Sequence, residues 1–270
     1  MSDQTPSLPI GVAQPRPRFA TLRSIAALML REMATSYGRS PGGYSWAVLE
    51  PVAGIALLSL VFSAAFRSPP IGISFALFYA TGVLIFGVYS DIHGKVSTSL
   101  LFSKQLLAYP TVTFIDAILA RFFLNMITQL LVGYIILTGC IVLFETRTTL
   151  DLPIVVQAYM LAASLGLGIG MLNAYVFTRF NVMQRFWSIL MRPMFLLSGV
   201  LIPLETIPQP YQDYLWYNPL IHITGLMRSG FYGTYDAEYV SAPYVMGIAL
   251  ACMAPGLVLL RRHHQDLLTR

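Results

Sequence analysis

Long apolar stretches alternate with short polar connections along most of the chain. A run of about 20 apolar residues is long enough to cross a bilayer as a helix. Such runs occupy residues 46–66, 71–90, 122–144, 154–177, 186–203 and 244–260. The pattern therefore predicts an all-α integral membrane protein with six transmembrane helices.

The composition agrees with this fold class. Hydrophobic residues make up 56% of the chain and charged residues only 11%, whereas a soluble domain carries about 25% charged residues. Cys140 and Cys252 fall inside apolar runs, with neither a CxxC motif nor a nearby histidine. We therefore predict no disulfide and no metal site.

The distribution of charge predicts the topology. Residues 1–17 are polar and rich in proline, so we expect a disordered cytosolic leader, followed by one transmembrane domain over residues 18–270. Six spans return the C-terminus to the cytosol, and most Lys and Arg residues then lie on the cytosolic side. Arg67, Arg147 and Arg228 fall opposite. Because topology explains the basic charge, we predict no nucleic-acid binding.

The segment RFATLRSIAALMLREMATSY, residues 18–37, has apolar residues at spacings of three and four. This spacing predicts an amphipathic helix before the first span, with Arg23, Arg31, Glu32 and Ser36 away from its apolar face. Such a helix lies on anionic lipid, docks another protein, or does both. The expected apolar face consists of Phe19, Leu22, Ala26, Met29, Met33 and Tyr37.

A second cytosolic segment, HGKVSTSLLFSKQLLAYP, connects the second and third spans and stops at Pro110. It predicts a short exposed helix whose apolar side chains need a partner, or which folds back onto the membrane surface. Its apolar residues include Leu100, Leu101, Phe102 and Leu106, and they are interrupted by Lys104 and Gln105.

The stretch LWYNPLIHITGLMRSGFYG, residues 215–233, is apolar but contains Asn218, Pro219, His222 and Arg228. It is too short to cross the bilayer and return. We expect two half-inserted helices broken at Asn218–Pro219, which form a re-entrant hairpin between the fifth and sixth spans. Arg228 is expected to face the aqueous side, because lipid exposure of a charge is costly.

Motifs for chemistry are missing from the sequence. It contains no GxxxxGK[ST] phosphate loop, so ATP is not bound by that route, and the histidines do not pair at metal-ligand spacing. Gly166 and Gly170 make a GxxxG face for close helix packing. Glu50 is the only acid clearly inside a predicted span. We therefore predict no catalytic residue, no metal and no cofactor on this chain.

Four motifs, in order along the chain, resemble the membrane subunit of type-2 ABC exporters. They are REMATSYGRSPGGYSWAVLEP, LLAYPTVTFIDAILARFFLN, MRPMFLLSGVLIPLETIP and YNPLIHITGLMRSGFYG. The strongest similarity is to capsular polysaccharide export permeases of Gram-negative bacteria. It implies a homodimer in the bacterial inner membrane, joined by two copies of a separate ATPase that binds ATP and Mg. Residues 19–37 would be the interface helix, and the coupling helix would lie within 97–108.

This resemblance also implies a central path for a glycolipid-anchored polymer. Sugars stack on aromatic rings, so aromatic residues are candidates to line this path. Each of them is explained equally well by ordinary helix packing or by anchoring at the membrane interface. Arg192 would meet phosphate or an acidic sugar at the cytosolic gate, or would extend to the lipid headgroups. The aromatic candidates are Tyr44, Trp46, Tyr79, Phe86, Tyr89 and Tyr109.

Asp116 and Arg121 lie five residues apart at the entrance to the third span. Charges near the membrane are costly unless they organise something. We hypothesise a structural charge pair that braces the coupling helix against the spans. Separate extension of both side chains into the headgroups is the alternative.

Other functions remain open at this point. Within the exporter class, the alternative is a permease for O-antigen or teichoic-acid glycolipid. A membrane-embedded transferase or a secondary carrier is more distant, because a catalytic cluster, internal repeats and paired intramembrane acids are not visible. A periplasmic adaptor and outer-membrane export proteins are further expected partners.

Overall fold

The computed structural model describes residues 20–36, 42–105 and 112–269. The predicted leader over residues 1–17 lies outside these ranges. So do Phe19 and Tyr37 of the predicted interface helix, Leu106 of the coupling segment and the path candidate Tyr109.

The described residues are helical and contain no β-strand. A short 3-10 turn, Leu204–Thr206, separates α7 from α8. The helices are α1 (Ala20–Ser36), α2 (Ser45–Ala65), α3 (Phe75–Ser97), α4 (Ser99–Phe102), α5 (Phe114–Leu143), α6 (Leu152–Arg179), α7 (Asn181–Leu197), α8 (Tyr211–Trp216), α9 (Pro219–Ser229) and α10 (Ala242–Thr269).

Five of the described helices, α2, α3, α5, α6 and α10, are long and apolar enough to cross a membrane. The predicted fifth span, residues 186–203, corresponds to α7, which starts earlier and is 17 residues long. This helix ends at Leu197. Gly199, two residues later, adopts a positive φ of 74°, which does not continue a right-handed helix. By length and composition, the described part of the chain therefore has five candidate spans rather than six.

Helices α3 and α5 extend well beyond the predicted spans at their facing ends. Helix α3 continues to Ser97, and α5 begins at Phe114 rather than at residue 122. A capping box starts α5: the Thr113 amide donates to Asp116 Oδ2 at 2.9 Å, and the Asp116 amide donates to Thr113 Oγ1 at 3.2 Å. Because of these extensions, several charged side chains lie on the long helices.

Helix α6 packs between α3 and α10 through glycines. A Cβ atom added at Gly166 would lie 3.0 Å from the Tyr89 carbonyl oxygen of α3, and one added at Gly170 would lie 2.9 Å from Val96 Cβ. The predicted GxxxG packing face is therefore confirmed. On the other side of α6, Gly256 of α10 approaches the backbone, where an added Cβ would lie 2.7 Å from the Leu172 nitrogen.

Helices α2 and α7 lie at the edge of this core. Only 6% of the apolar window of α2 is buried, and α7 has no buried residue. Large apolar side chains on both helices are exposed, including Leu60 at 69% and Ile189 at 66%. These two surfaces are therefore open to lipid or to another protein chain.

We predict that Gly256→Ala destabilises the fold, because the added methyl group meets the backbone of α6. Overpacking of this kind costs about 1–3 kcal/mol. Gly247→Ala on the same helix is the matched control, since nothing lies within 4 Å of its added Cβ. Thermal unfolding of the detergent-solubilised protein should show a lower Tm for Gly256→Ala alone. Equal Tm values for the two variants would contradict the close packing of α6 and α10.

Candidate ATPase-coupling site

The buried side chain of Arg121 on α5 joins three other parts of the chain. Its Nε lies 3.0 Å from Glu32 Oε1 on α1. Its Nη1 donates to the Lys95 carbonyl oxygen and to Thr98 Oγ1 at the end of α3, both at 2.9 Å. Its guanidinium carbon lies 4.1 Å from the ring centroid of Phe102 on α4. We call these five residues the Arg121 junction.

The chemistry of arginine explains why this residue stands at the junction. A buried ion pair has to recover the cost of desolvating both charges, and further hydrogen bonds are needed to do so. The planar guanidinium of Arg121 donates in several directions and also stacks on the Phe102 ring. Glu32 and Arg121 are 3% and 5% exposed, so bulk water barely screens their attraction. The junction therefore fixes the positions of α1 and α4 relative to α5.

Helix α1 packs on α5 through a different face from the predicted one. Ile25 and Leu28 are buried against Ala120, whereas Leu22 is 66% exposed and Met33 is 39% exposed. Met29 is half-buried beside this small cluster. Glu32, expected away from the apolar face, is buried because it lies one turn beyond Leu28 on the same side of α1. The sequence shows this spacing of four residues, but a charged side chain is not expected on the buried face of a helix.

The exposed side of α1 remains apolar. Leu30 is 67% exposed, and with Leu22 and Met33 it leaves an apolar surface on the side away from α5. Arg31 is partly buried, and its guanidinium carbon lies 5.6 Å from the Phe102 ring centroid. The helix therefore has one surface docked on its own chain and one free for lipid or a partner.

The predicted coupling segment divides into an anchor and an exposed surface. Leu100 is 1% exposed and belongs to the main core, so it is corrected from a docking residue to an anchor of α4. Leu101 and Phe102 are 42% and 37% exposed, and Lys104 and Gln105 are also exposed. Of these exposed residues, Phe102 contacts Arg121 directly.

The structure gives the two members of the predicted charge pair different partners. Asp116 caps the start of α5 through Thr113. Arg121 forms its ion pair with Glu32. The pairing of Asp116 with Arg121 is therefore corrected, since each carboxylate is held by a nearer donor.

The predicted path residues do not share one surface. Tyr79 and Tyr89 are 1% and 2% exposed in the core, so they are corrected from path residues to packing residues. Tyr44 contacts Thr128 Oγ1 through its hydroxyl at 3.1 Å, Trp46 is exposed at the start of α2, and Arg192 is exposed on α7 beside Pro193.

Phe86 is the path candidate that lines a polar cavity. It packs edge-to-face on Phe195 of α7, with ring centroids 5.2 Å apart. The cavity lies between α2, α3 and α5, and Asp91 lines it as well. The second predicted span ends at residue 90, which leaves Asp91 outside the membrane, whereas α3 continues to Ser97. Glu50 is therefore not the only acid within the spans.

The segment after α7 breaks where the sequence predicts. Helix α8 ends at Trp216 and α9 starts at Pro219, where the missing amide hydrogen of proline costs nothing. Asn218 caps α9 by accepting from the Leu220 amide at 3.1 Å, and its Nδ2 donates to the Leu197 carbonyl oxygen at 2.9 Å. His222 is buried and bridges the Trp216 carbonyl oxygen and the Ser241 amide.

Arg228 lies inside the protein and does not face water. It is 1% exposed, its Nη2 donates to the Val200 carbonyl oxygen at 2.8 Å, and its guanidinium carbon lies 4.1 Å from the Phe78 ring centroid. The expected aqueous orientation was therefore wrong. Contacts with the backbone and an aromatic ring provide an alternative way to keep this cation out of lipid.

A hydrogen-bonded group covers the connection between α9 and α10. Tyr235 donates to Glu205 Oε1 at 2.8 Å, and its hydroxyl oxygen lies 3.4 Å from that of Tyr239. Burial raises the pKa of Tyr239 to about 12, so its hydroxyl stays protonated further into the alkaline range than that of an exposed tyrosine. Among the described residues, no group of three or more His, Cys, Asp or Glu side chains is placed to hold a metal ion.

We predict that Arg121→Lys loosens α1 and α4 while the long helices stay folded. Lysine keeps the charge, but it cannot reach Glu32, Lys95 and Thr98 together. Loss of charged hydrogen bonds worth about 1.5–3 kcal/mol should speed local amide exchange roughly tenfold or more. Hydrogen-exchange mass spectrometry should detect this in residues 20–36 and 98–102. Arg23→Lys, at an exposed position of α1, is the control. Unchanged exchange in α1 would show that the junction does not hold it.

Comparison with known proteins identifies the family. Residues 23–232 match the family described as ABC-2 type transporter. The chain is 33% identical over 251 residues to the polysialic acid transport protein KpsM of Escherichia coli, which covers 91% of this chain and 95% of that protein. It is 25% identical over 241 residues, 89% of this chain and 91% of the relative, to the capsule polysaccharide export inner-membrane protein CtrC of Neisseria meningitidis serogroup A. It is 22% identical over 239 residues, 88% and 90% respectively, to the capsule polysaccharide export inner-membrane protein BexB of Haemophilus influenzae. The chain therefore belongs to the ABC-2 type transporter family.

Proposed function

We propose that this chain is the transmembrane subunit of an ATP-driven exporter that moves capsular polysaccharide across the bacterial inner membrane. The substrate class is supported by the relatives, which are similar along about nine-tenths of this chain and are named for the transport or export of such polysaccharides. The sequence has no phosphate loop, so a separate ABC ATPase supplies the ATP and Mg site. Within residues 20–36, 42–105 and 112–269, no group of three or more His, Cys, Asp or Glu side chains is placed to hold a metal ion, so nothing there favours an activity of this chain on its own, such as sugar transfer.

The Arg121 junction is the observation that carries the coupling mechanism. Closure of the ATPase pair on its nucleotide pushes the exposed surface of Leu101 and Phe102. The Phe102 ring lies against Arg121, which is rooted in the long helix α5 and holds the end of α3. Force on α4 therefore reaches two spanning helices through one side chain.

The proposed exporter is a homodimer with two ATPase subunits. The exposed apolar surfaces of α2 and α7 are suited to meeting a second copy of this chain around a path for the polymer. In this arrangement the short helix α7 crosses the membrane in addition to the five longer helices. Helices α8 and α9 form the re-entrant hairpin in the outer leaflet, and both termini are cytosolic. The outer end of the path then meets a periplasmic adaptor and outer-membrane export proteins.

A permease for O-antigen or teichoic-acid glycolipid is the second candidate. It falls within the same exporter class and would use the same junction. The names of the relatives favour capsular polysaccharide. The chemical composition of the polymer that accumulates when the chain is missing separates the two.

We predict that Leu101→Asp abolishes export, because a charge in the docking surface weakens contact with the ATPase. In a host lacking this chain, polysaccharide should accumulate inside the cell, and the wild-type chain should restore it to the surface. Leu101→Asp should fail to restore it and should lower ATPase co-purification at least tenfold. Leu150→Asp is the control, since Leu150 is 48% exposed in the distant connection between α5 and α6. Export by Leu101→Asp at the wild-type level would contradict the coupling assignment.

The re-entrant hairpin predicts that Tyr217, beside the break between α8 and α9, lies at hydrocarbon depth. A nitroxide label at Tyr217, which is 67% exposed, should collide more often with oxygen than with a polar nickel complex. A label at Asp236, exposed in the connection to α10, should show the opposite order. Collision measurements in liposomes give both values. If the two labels behave alike, the segment is a surface loop.

A further inference from the structure

A cavity of about 620 Å³ between α2, α3 and α5 carries side chains of mixed polarity. Glu50 enters it from α2, Asp91 and Lys95 from α3, and Asn125 and Gln129 from α5. The Gln129 amide donates to the Asp91 carboxylate across the cavity wall. Ionisable groups on spanning helices are costly to keep and commonly mark a binding site or pathway.

The balance of charge restricts which ligand fits the cavity. Two carboxylates face one ammonium group, so an anion would be repelled more strongly than it is attracted. The described residues include no group of three or more His, Cys, Asp or Glu side chains that could hold a metal ion. Hydroxyl groups suit the cavity better, because they donate to Glu50 and Asp91 and accept from Lys95 and Asn125.

Another part of the cavity wall is apolar and aromatic. Phe86 and Phe195 form an edge-to-face pair, and Leu58 and Val83 complete this side. A sugar ring has the same division, with hydroxyl groups around its edge and C–H groups on its faces. The cavity volume lies within the range of about 300–1,000 Å³ that is usual for small-molecule sites.

We propose that this cavity binds a unit of the exported saccharide through its hydroxyl groups, with Glu50 and Asp91 accepting hydrogen bonds from them. The proposal rests on the proposed export function and deepens it, because it names the residues that contact the sugar and the charge they select. The negative balance of the cavity disfavours a carboxylate of the sugar unit inside it, so an acidic unit would bind with its carboxylate outside the cavity.

Protection of a cysteine in the cavity tests the proposal. Ser90 is half-buried and lines the cavity, and Ser90→Cys is placed in the assembled exporter with Cys140 and Cys252 replaced by alanine. The probe is a set of oligosaccharides prepared from the capsule of the host strain. We expect these fragments to slow maleimide labelling of Ser90→Cys several-fold. Ser229→Cys, also half-buried but lining a separate cavity, should label at an unchanged rate.

Neutral variants separate a hydroxyl site from an anion site. Asp91→Asn and Glu50→Gln keep the shape of the cavity, and each should weaken protection of Ser90→Cys roughly tenfold, as expected for loss of a charged hydrogen bond. Tighter binding by these variants would overturn the proposal in favour of an anion site. Equal protection of Ser229→Cys, or no protection at Ser90→Cys, would overturn it as well.

The proposed export function has a separate readout. A host that still displays its polysaccharide after loss of this chain contradicts that function. An exporter that restores surface polysaccharide but leaves Ser90→Cys unprotected contradicts only the saccharide site. Co-purification with the ATPase confirms that each cysteine variant is folded.

Discussion

The buried contact between Arg121 and Glu32 determines how the small helices are attached to the long ones. Helix α1 has few apolar side chains docked on α5, chiefly Ile25 and Leu28, and α4 is a single turn anchored by Leu100. Neither would hold a fixed orientation through so little apolar burial. The ion pair with α1, the hydrogen bonds to the end of α3 and the stacking on Phe102 supply directional contacts. A hydrophobic contact of the same size would bind without fixing the angle.

The structure combines a tightly packed centre with a loosely held edge. Glycines at 166, 170 and 256 bring the backbones of α3, α6 and α10 close together, so relative sliding of these helices meets backbone as well as side chains. Helices α2 and α7 have almost no buried residues. In the proposed exporter, α2 and α7 are therefore the helices that meet the least resistance when they shift against this centre.

The sequence predicted features whose causes are local along the chain. Long apolar runs gave the spanning helices, the GxxxG spacing gave the contact of Gly166 and Gly170 with α3, and Asn218–Pro219 gave the break between α8 and α9. Features that depend on distant residues were missed. Glu32 and Arg121 are 89 positions apart, and the burial of Arg228 depends on Phe78 and Val200, which no periodicity brings together. The end of α3 was also placed too early, because Asp91, His93 and Lys95 lower its hydropathy although the helix continues.

Lys95 connects the coupling site to the polar cavity. Its carbonyl oxygen accepts a hydrogen bond from Arg121, while its side chain lines the cavity one helical turn after Asp91. The backbone of Lys95 therefore belongs to the coupling site and its side chain to the cavity. Helix α3 runs unbroken to Ser97, so Lys95 is part of a continuous hydrogen-bonded helix. In the proposed mechanism, a shift of α4 that moves Arg121 and the end of α3 also moves the Lys95 ammonium relative to Glu50 on α2. In the proposed exporter, ATPase closure would thus change the affinity of the cavity for sugar, and sugar binding would change the free energy of closure by the same amount.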